Sequence, residues 1–194
     1  MIFSSSEIDK LGNTIIYLTC KIPDLSKTKL LKLLYLLEHC SVRLNKVPFM
    51  NLEFEVWQAG PVSKDVFVDL SNDEQSLLKD YVKMETKPGM PGTYVKPLRE
   101  FCDDEFSDND MELMDSIIKK FGEKTATELV SICHKENMPW YQIAQEKGIL
   151  NDFQSGCLTS SDYKIDLSDL LEGCDKDFYL DVVDFNNFGR TLKR

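Results

Sequence analysis

Two short pairs of residues carry the groups with the most chemistry in this 194-residue chain: His39-Cys40 and Cys133-His134. Both pairs supply ligand types suited to zinc. If their helices met, four side chains would be available to one ion. Neighbours on a helix diverge by about 100°, however, so both members of a pair rarely reach one metal, and the reading here is of unconnected thiols with no metal site. Cys133-His134 also has the composition of a nucleophile and its base. No Ser or Cys motif accompanies it and no orienting carboxylate is announced nearby, so catalysis is not expected. His134, near the end of a helix, is better read as a hydrogen-bonding or helix-complementing residue. A small hydrolase using His134 is the enzymatic alternative.

The stretch Asp103–Asp115 holds seven acids and no base, which suggests a calcium loop at first sight. It lacks the glycine and the terminal glutamate that such a loop needs at fixed spacing. A helix capped by Ser107, with carboxylates near its positive end, accounts for the same residues. The six cysteines are widely spaced with no CxxC pair, as expected of reduced thiols, and no cofactor motif is present.

These residues need a scaffold, and its centre is a helix beginning after Ser26. From Leu30 to Leu37 only Lys32 is not apolar or aromatic, so this helix must be covered on most sides. The period then changes. Leu52, Phe54 and Val56 alternate with Glu53, Glu55 and Trp57, as in a strand with one buried face. Trp57 shares the other face with two carboxylates and is a candidate contact residue, unless the chain's own Tyr or Phe covers it. Gly60-Pro61 is expected to break the strand, and Ser63 to cap a helix burying Val66, Phe67 and Leu70.

Around this centre, Ser6–Cys20 reads as an opening helix with Gly12 as a mild weakness. Ser71–Glu74 has the form of a capping box for a helix running to about Thr86. KPGMPG then makes a loop, and Thr93–Leu98 returns as a strand beside Leu52–Ala59. Helices follow from Ser107, with Gly122 as a left-handed stop, from the capping box Thr125–Glu128, and from Pro139. The last stretch gives a short strand at Tyr163–Leu167, a brief helix capped by Ser168, and a terminal helix from Asp175. Phe178, Val182, Phe185 and Phe188 in that helix recur at a spacing suited to a lid over the core, the alternative being a docking element for a partner. The expected class is α+β: a mainly α-helical single domain over 1–194 with a small antiparallel sheet, residues 150–194 forming a C-terminal extension.

Charge narrows the partners. The net charge is −10, and it runs from +3 over residues 1–50, through −3 over 51–100, to −10 over 101–194. Such a field repels phosphate backbones, so nucleic acid is a poor main partner and a protein with a basic surface a better one. Nothing basic projects from a candidate recognition helix, which argues against a helix-turn-helix regulator. There is no long apolar run, so neither a leader nor a membrane span is expected, and the chain reads as cytoplasmic.

Lys29–Leu36 (KLLKLLYL), followed by Phe54–Phe67 (FEVWQAGPVSKDVF), resembles the SocA-like Panacea antitoxin domain, a family first known from phage-associated proteins. The stretch from Ser107 to Trp140 fits the same pattern: a Ser-capped acidic helix, a Lys-Phe-Gly end, Thr-Ala-x-Glu-Leu, a His and Pro-Trp. The matching blocks lie within 26–141, in the family's order. The resemblance implies a bacterial or prophage antitoxin that neutralises a co-encoded toxin by direct binding. Some members of the family act instead as adaptors that deliver the toxin to a protease. The residues chosen as partner-binding are Trp57, Gly60, Pro61, Val62 and Lys64. Trp140 is expected to pack on the central helix.

Overall fold

The central helix is α2 (Lys27–Asn45), following α1 (Ser5–Lys21), and the computed structural model describes residues 3–192. Every residue of α2 from Leu30 to His39 is buried, as its nearly unbroken apolar run demands. Ser26 starts it by accepting the amide of Lys29, and Lys46, left-handed at φ 61°, ends it. Ser4 caps α1 in a full capping box with Glu7. Gly12 is no mere weakness in α1. A Cβ there would lie 2.1 Å from Cδ1 of Tyr81, so the glycine is what lets that ring seat on the helix.

Two small antiparallel sheets flank α2. In the first, β1 (Phe54–Trp57) lies between β2 (Gly60–Val62) and, on its other edge, β5 (Lys164–Ile165). In the second, β3 (Val82–Lys87) pairs only with β4 (Met90–Pro97). The expected pairing of Leu52–Ala59 with Thr93–Leu98 is therefore wrong: each strand takes the partner next to it in sequence, through a tight turn. Gly60-Pro61 does not end a strand but begins one. Pro61 pairs with Val56, whose amide donates to Tyr163 O on the β5 side, so the ring nitrogen of Pro61 faces away from β1, where a missing donor costs no ladder bond.

The helix expected over Ser71–Thr86 is absent. After α3 (Lys64–Asp69) the chain runs irregularly to β3, and the buried carboxylate of Asp69 organises it, accepting the amides of Ser76, Leu77 and Leu78 at 2.7, 2.9 and 3.0 Å. Leu78 and Val82 are buried as their spacing suggested, but by a loop and a strand. Ser63 precedes α3 without a side-chain capping bond.

Helices α4 (Asp108–Phe121) and α5 (Ala126–Cys133) start at the caps expected at Ser107 and Thr125, each a full capping box, and both pack on α2. Gly122 is right-handed, at φ −60°, not left-handed. Lys29 Nζ holds its carbonyl at 2.5 Å. Pro139 opens α6 (Pro139–Glu146), followed by α7 (Leu150–Ser155), and a 3₁₀ turn at Leu167–Leu170 is capped by Asp166 rather than Ser168.

The last helix, α8 (Gly173–Leu192), reverses the expected facing of its aromatics. Phe178, Phe185 and Phe188 are 53%, 77% and 61% exposed, while Tyr179 is buried and Val183 partly so. Tyr179, Val183 and the ion pair from Arg190 to Glu7 (2.7 Å) hold the helix down. The architecture is α+β, mostly helical, with small antiparallel sheets. No helix among the described residues is long and apolar enough to cross a membrane.

Candidate functional site

The β1–β2 hairpin is fastened to the central helix by Lys32. Its ammonium donates to Pro61 O at 2.6 Å, filling the acceptor that an edge strand would otherwise leave facing the core. Burial pushes this amine down to about 8, with Cys133 pulling weakly the other way. A Cβ at Gly60, where φ is +93°, would come within 3.3 Å of Lys32 Cε and 3.6 Å of Cys133 Cβ. Gly60-Pro61 thus fits closely around a buried cation. Lys32 appeared in the sequence only as the one interruption of an apolar run, and that interruption was the signal.

Gly60, Pro61 and Val62 are buried, so they shape and brace the hairpin from behind. The hairpin's outward groups are others. Trp57 is half-buried, its ring edge-on to Phe67 at 4.9 Å, and its Nε1 donates to Glu55 Oε2 at 3.0 Å. The other oxygen of Glu55 lies 3.9 Å from Nζ of exposed Lys64, which also reaches Asp162 at 3.4 Å. The indole is held in one orientation by a carboxylate and a ring, with part of its surface in solvent. The chain's own Phe67 does cover some of it, as the sequence left open.

Behind the hairpin, Trp140 Nε1 donates to Trp57 O at 2.8 Å, and the Trp140 ring stacks on His134 at 3.6 Å and on Phe153 at 5.7 Å. The sheet, the end of α5 and α7 thus hold the indole in place. A shallow cavity beside His134 is lined by Gln58, Tyr141 and Gln154 with no carboxylate or thiol. Burial, helped by Lys32, lowers His134 to about 4, and burial raises the Cys133 thiol to about 12. A nucleophile–base pair needs the opposite shifts, a thiolate near neutrality and an oriented imidazole. Among the described residues, no three of His, Cys, Asp and Glu gather in a metal-holding group.

Acidic residues near the start of α4 join helices. Asp110 closes the Ser107 capping box and meets Lys10 of α1 at 3.1 Å, and Asp115 accepts from Tyr17 at 2.7 Å, raising that phenol to about 12. A second buried charge site went unread in the sequence. Glu38, wholly inside, accepts the amides of Met50 and Asn51 at 2.9 Å each, tying α2 to the turn before β1. Burial pushes its pKa up to about 7 against the pull of those amides.

A mostly helical α+β fold wrapped on one buried helix, with a hairpin latched to it by a buried lysine, defines the structural class. Residues 30–141, more than half of the chain, match the family described as antitoxin SocA-like, Panacea domain, and the chain belongs to that family. The matched span includes the Lys32 latch, the Trp57 hairpin and Trp140. No curated protein and no solved structure matches the chain.

Proposed function

We propose that the chain is an antitoxin that neutralises a co-encoded toxin by binding it directly, acting in the cytoplasm as one unit over 1–194. Membership in the antitoxin SocA-like family carries this reading. The binding surface centres on Trp57, with Lys64 beside it and the buried Gly60-Pro61-Val62 strand as its rigid backing. An indole already fixed by Glu55 and Phe67 loses little freedom when a partner covers it, which is what an anchor residue requires. Acidic side chains of the C-terminal half speed the approach of a toxin with a basic face.

The test is titration of purified toxin into wild type and Trp57→Ala, with thermal unfolding as the control for fold. The expected result is a loss of about 2 kcal/mol or more in binding, roughly thirtyfold, with little change in melting temperature. Lys64→Ala is expected to act more weakly, as a rim charge does. Full binding by a folded Trp57→Ala variant contradicts the anchor.

A further inference from the structure

On this acidic chain one groove carries the opposite sign. It lies between the C-terminal half of α2, the end of α4 and α5, and encloses about 650 Å³. Its floor is apolar, with Leu36, Phe121 and Ile132, and Leu44 stands at its margin 69% exposed. Its rim is Arg43, Lys120, Lys124 and Lys135, with no carboxylate in the lining, and none of the four makes an ion pair among the described residues. Its complement is present on the same molecule. At 3.6 residues per turn, Phe178, Phe185, Asp177, Asp181 and Asp184 fall within about 120° of one another on α8, on the side away from Tyr179. That face is a ridge of exposed aromatics edged with carboxylates.

We propose that the two surfaces pair between copies: the α8 ridge of one chain seats in the cationic groove of a second, and the second returns its own ridge to the first. Lys46, just past Arg43 and Leu44, holds Asp175 in the first turn of α8 at 3.4 Å, so ridge and groove start side by side. Adjacent complementary surfaces are what a closed two-fold exchange needs. The phenyl rings fill the apolar floor, and three aspartates face four cations. This assembly does not rest on the antitoxin reading, and its association state is measured on the purified chain before any toxin is added.

The experiment is light scattering coupled to size exclusion at about 100 μM, a concentration at which a micromolar pair is mostly associated. The wild type is expected to run as a dimer. One variant, Lys120→Glu with Lys124→Glu, reverses the groove, and another, Asp177→Lys with Asp181→Lys, reverses the ridge. Each alone is expected to weaken self-association at least about tenfold, since like charges then face one another. An equimolar mixture of the two restores a dimer, because each ridge again meets a groove of opposite sign. Misfolding does not produce that rescue. A monomeric wild type, a dimer untouched by both reversals, or a mixture that stays monomeric overturns the proposal. A monomer whose groove-reversed form fails to bind toxin overturns it too, and gives the groove to the toxin.

Discussion

At the scale of residues, the fold depends on charged groups taken inside and bound to backbone: Lys32 to one carbonyl, Glu38 to two amides and Asp69 to three. Lys32 is the sharpest case, because its folded pKa of about 8 lies below the ordinary lysine value of 10.5. Between those two values the unfolded chain holds more protons, so this residue's contribution to stability rises with pH across that window; below it the full penalty, about 3 kcal/mol, is present. Lys32→Met removes the penalty but orphans Pro61 O, a loss of about 1–3 kcal/mol. The two nearly offset. The variant is therefore expected to unfold within about 2 kcal/mol of wild type at pH 7, and to lack the wild type's gain between pH 8 and 10.5, as read from urea midpoints. The histidines act at the other end. His39 and His134 are each lowered from 6.5 to about 4 by burial, so their contribution is intact above pH 6.5 and is lost as pH falls toward 4. Glu38, raised to about 7, works in the contrary sense over part of that range, its contribution fading as pH rises from 4.5. His134→Phe keeps the stack on Trp140 and removes one titration, so its urea midpoint is expected to fall less than wild type's between pH 6.5 and 4. An equal fall in both contradicts the assignment.

At the scale of elements, the sequence was most legible where one residue set an end or one run set a face. The capping serines and threonine at 26, 107 and 125 placed three helix starts, and the apolar run of α2 placed the core. It was least legible where tertiary partners decide. Leu77, Leu78, Tyr81 and Val82 have helical spacing, yet Asp69 captures the amides of Ser76, Leu77 and Leu78, and the Pro88-Gly89 turn pulls Val82–Lys87 into a hairpin. The facing of α8 was misread for a related reason: its aromatics mark a helical face, and nothing in a single helix says whether that face looks in or out. Of the candidate site, Trp57 and Lys64 were visible as an aromatic and a cation beside a turn, whereas the latch was hidden because Lys32 and Pro61 are joined only by the fold. Gly12 makes the same point and can be tested. Alanine there would favour an isolated helix by about 1 kcal/mol, but its Cβ would overlap the ring of Tyr81, which hydrogen-bonds Asp9 and lies under Arg99. Gly12→Ala is expected to lose about 1–3 kcal/mol in net stability by chemical denaturation; a stabilised variant would mean that the ring is free to move.

At the scale of the whole molecule, charge and shape divide the surface into regions of different character: a braced hairpin with a fixed indole, a cationic groove, and an acidic aromatic ridge. Membership in the antitoxin SocA-like family supports an antitoxin role, and the hairpin is the surface proposed for it. The most direct measurement is growth of cells in which the neighbouring open reading frame is induced alone, with this chain, and with its Trp57→Ala variant. Arrest by the neighbour alone, growth with the wild-type chain, and arrest again with a folded, equally abundant Trp57→Ala variant is the predicted result. A neighbour that is harmless by itself, or that kills regardless of this chain, contradicts the antitoxin account.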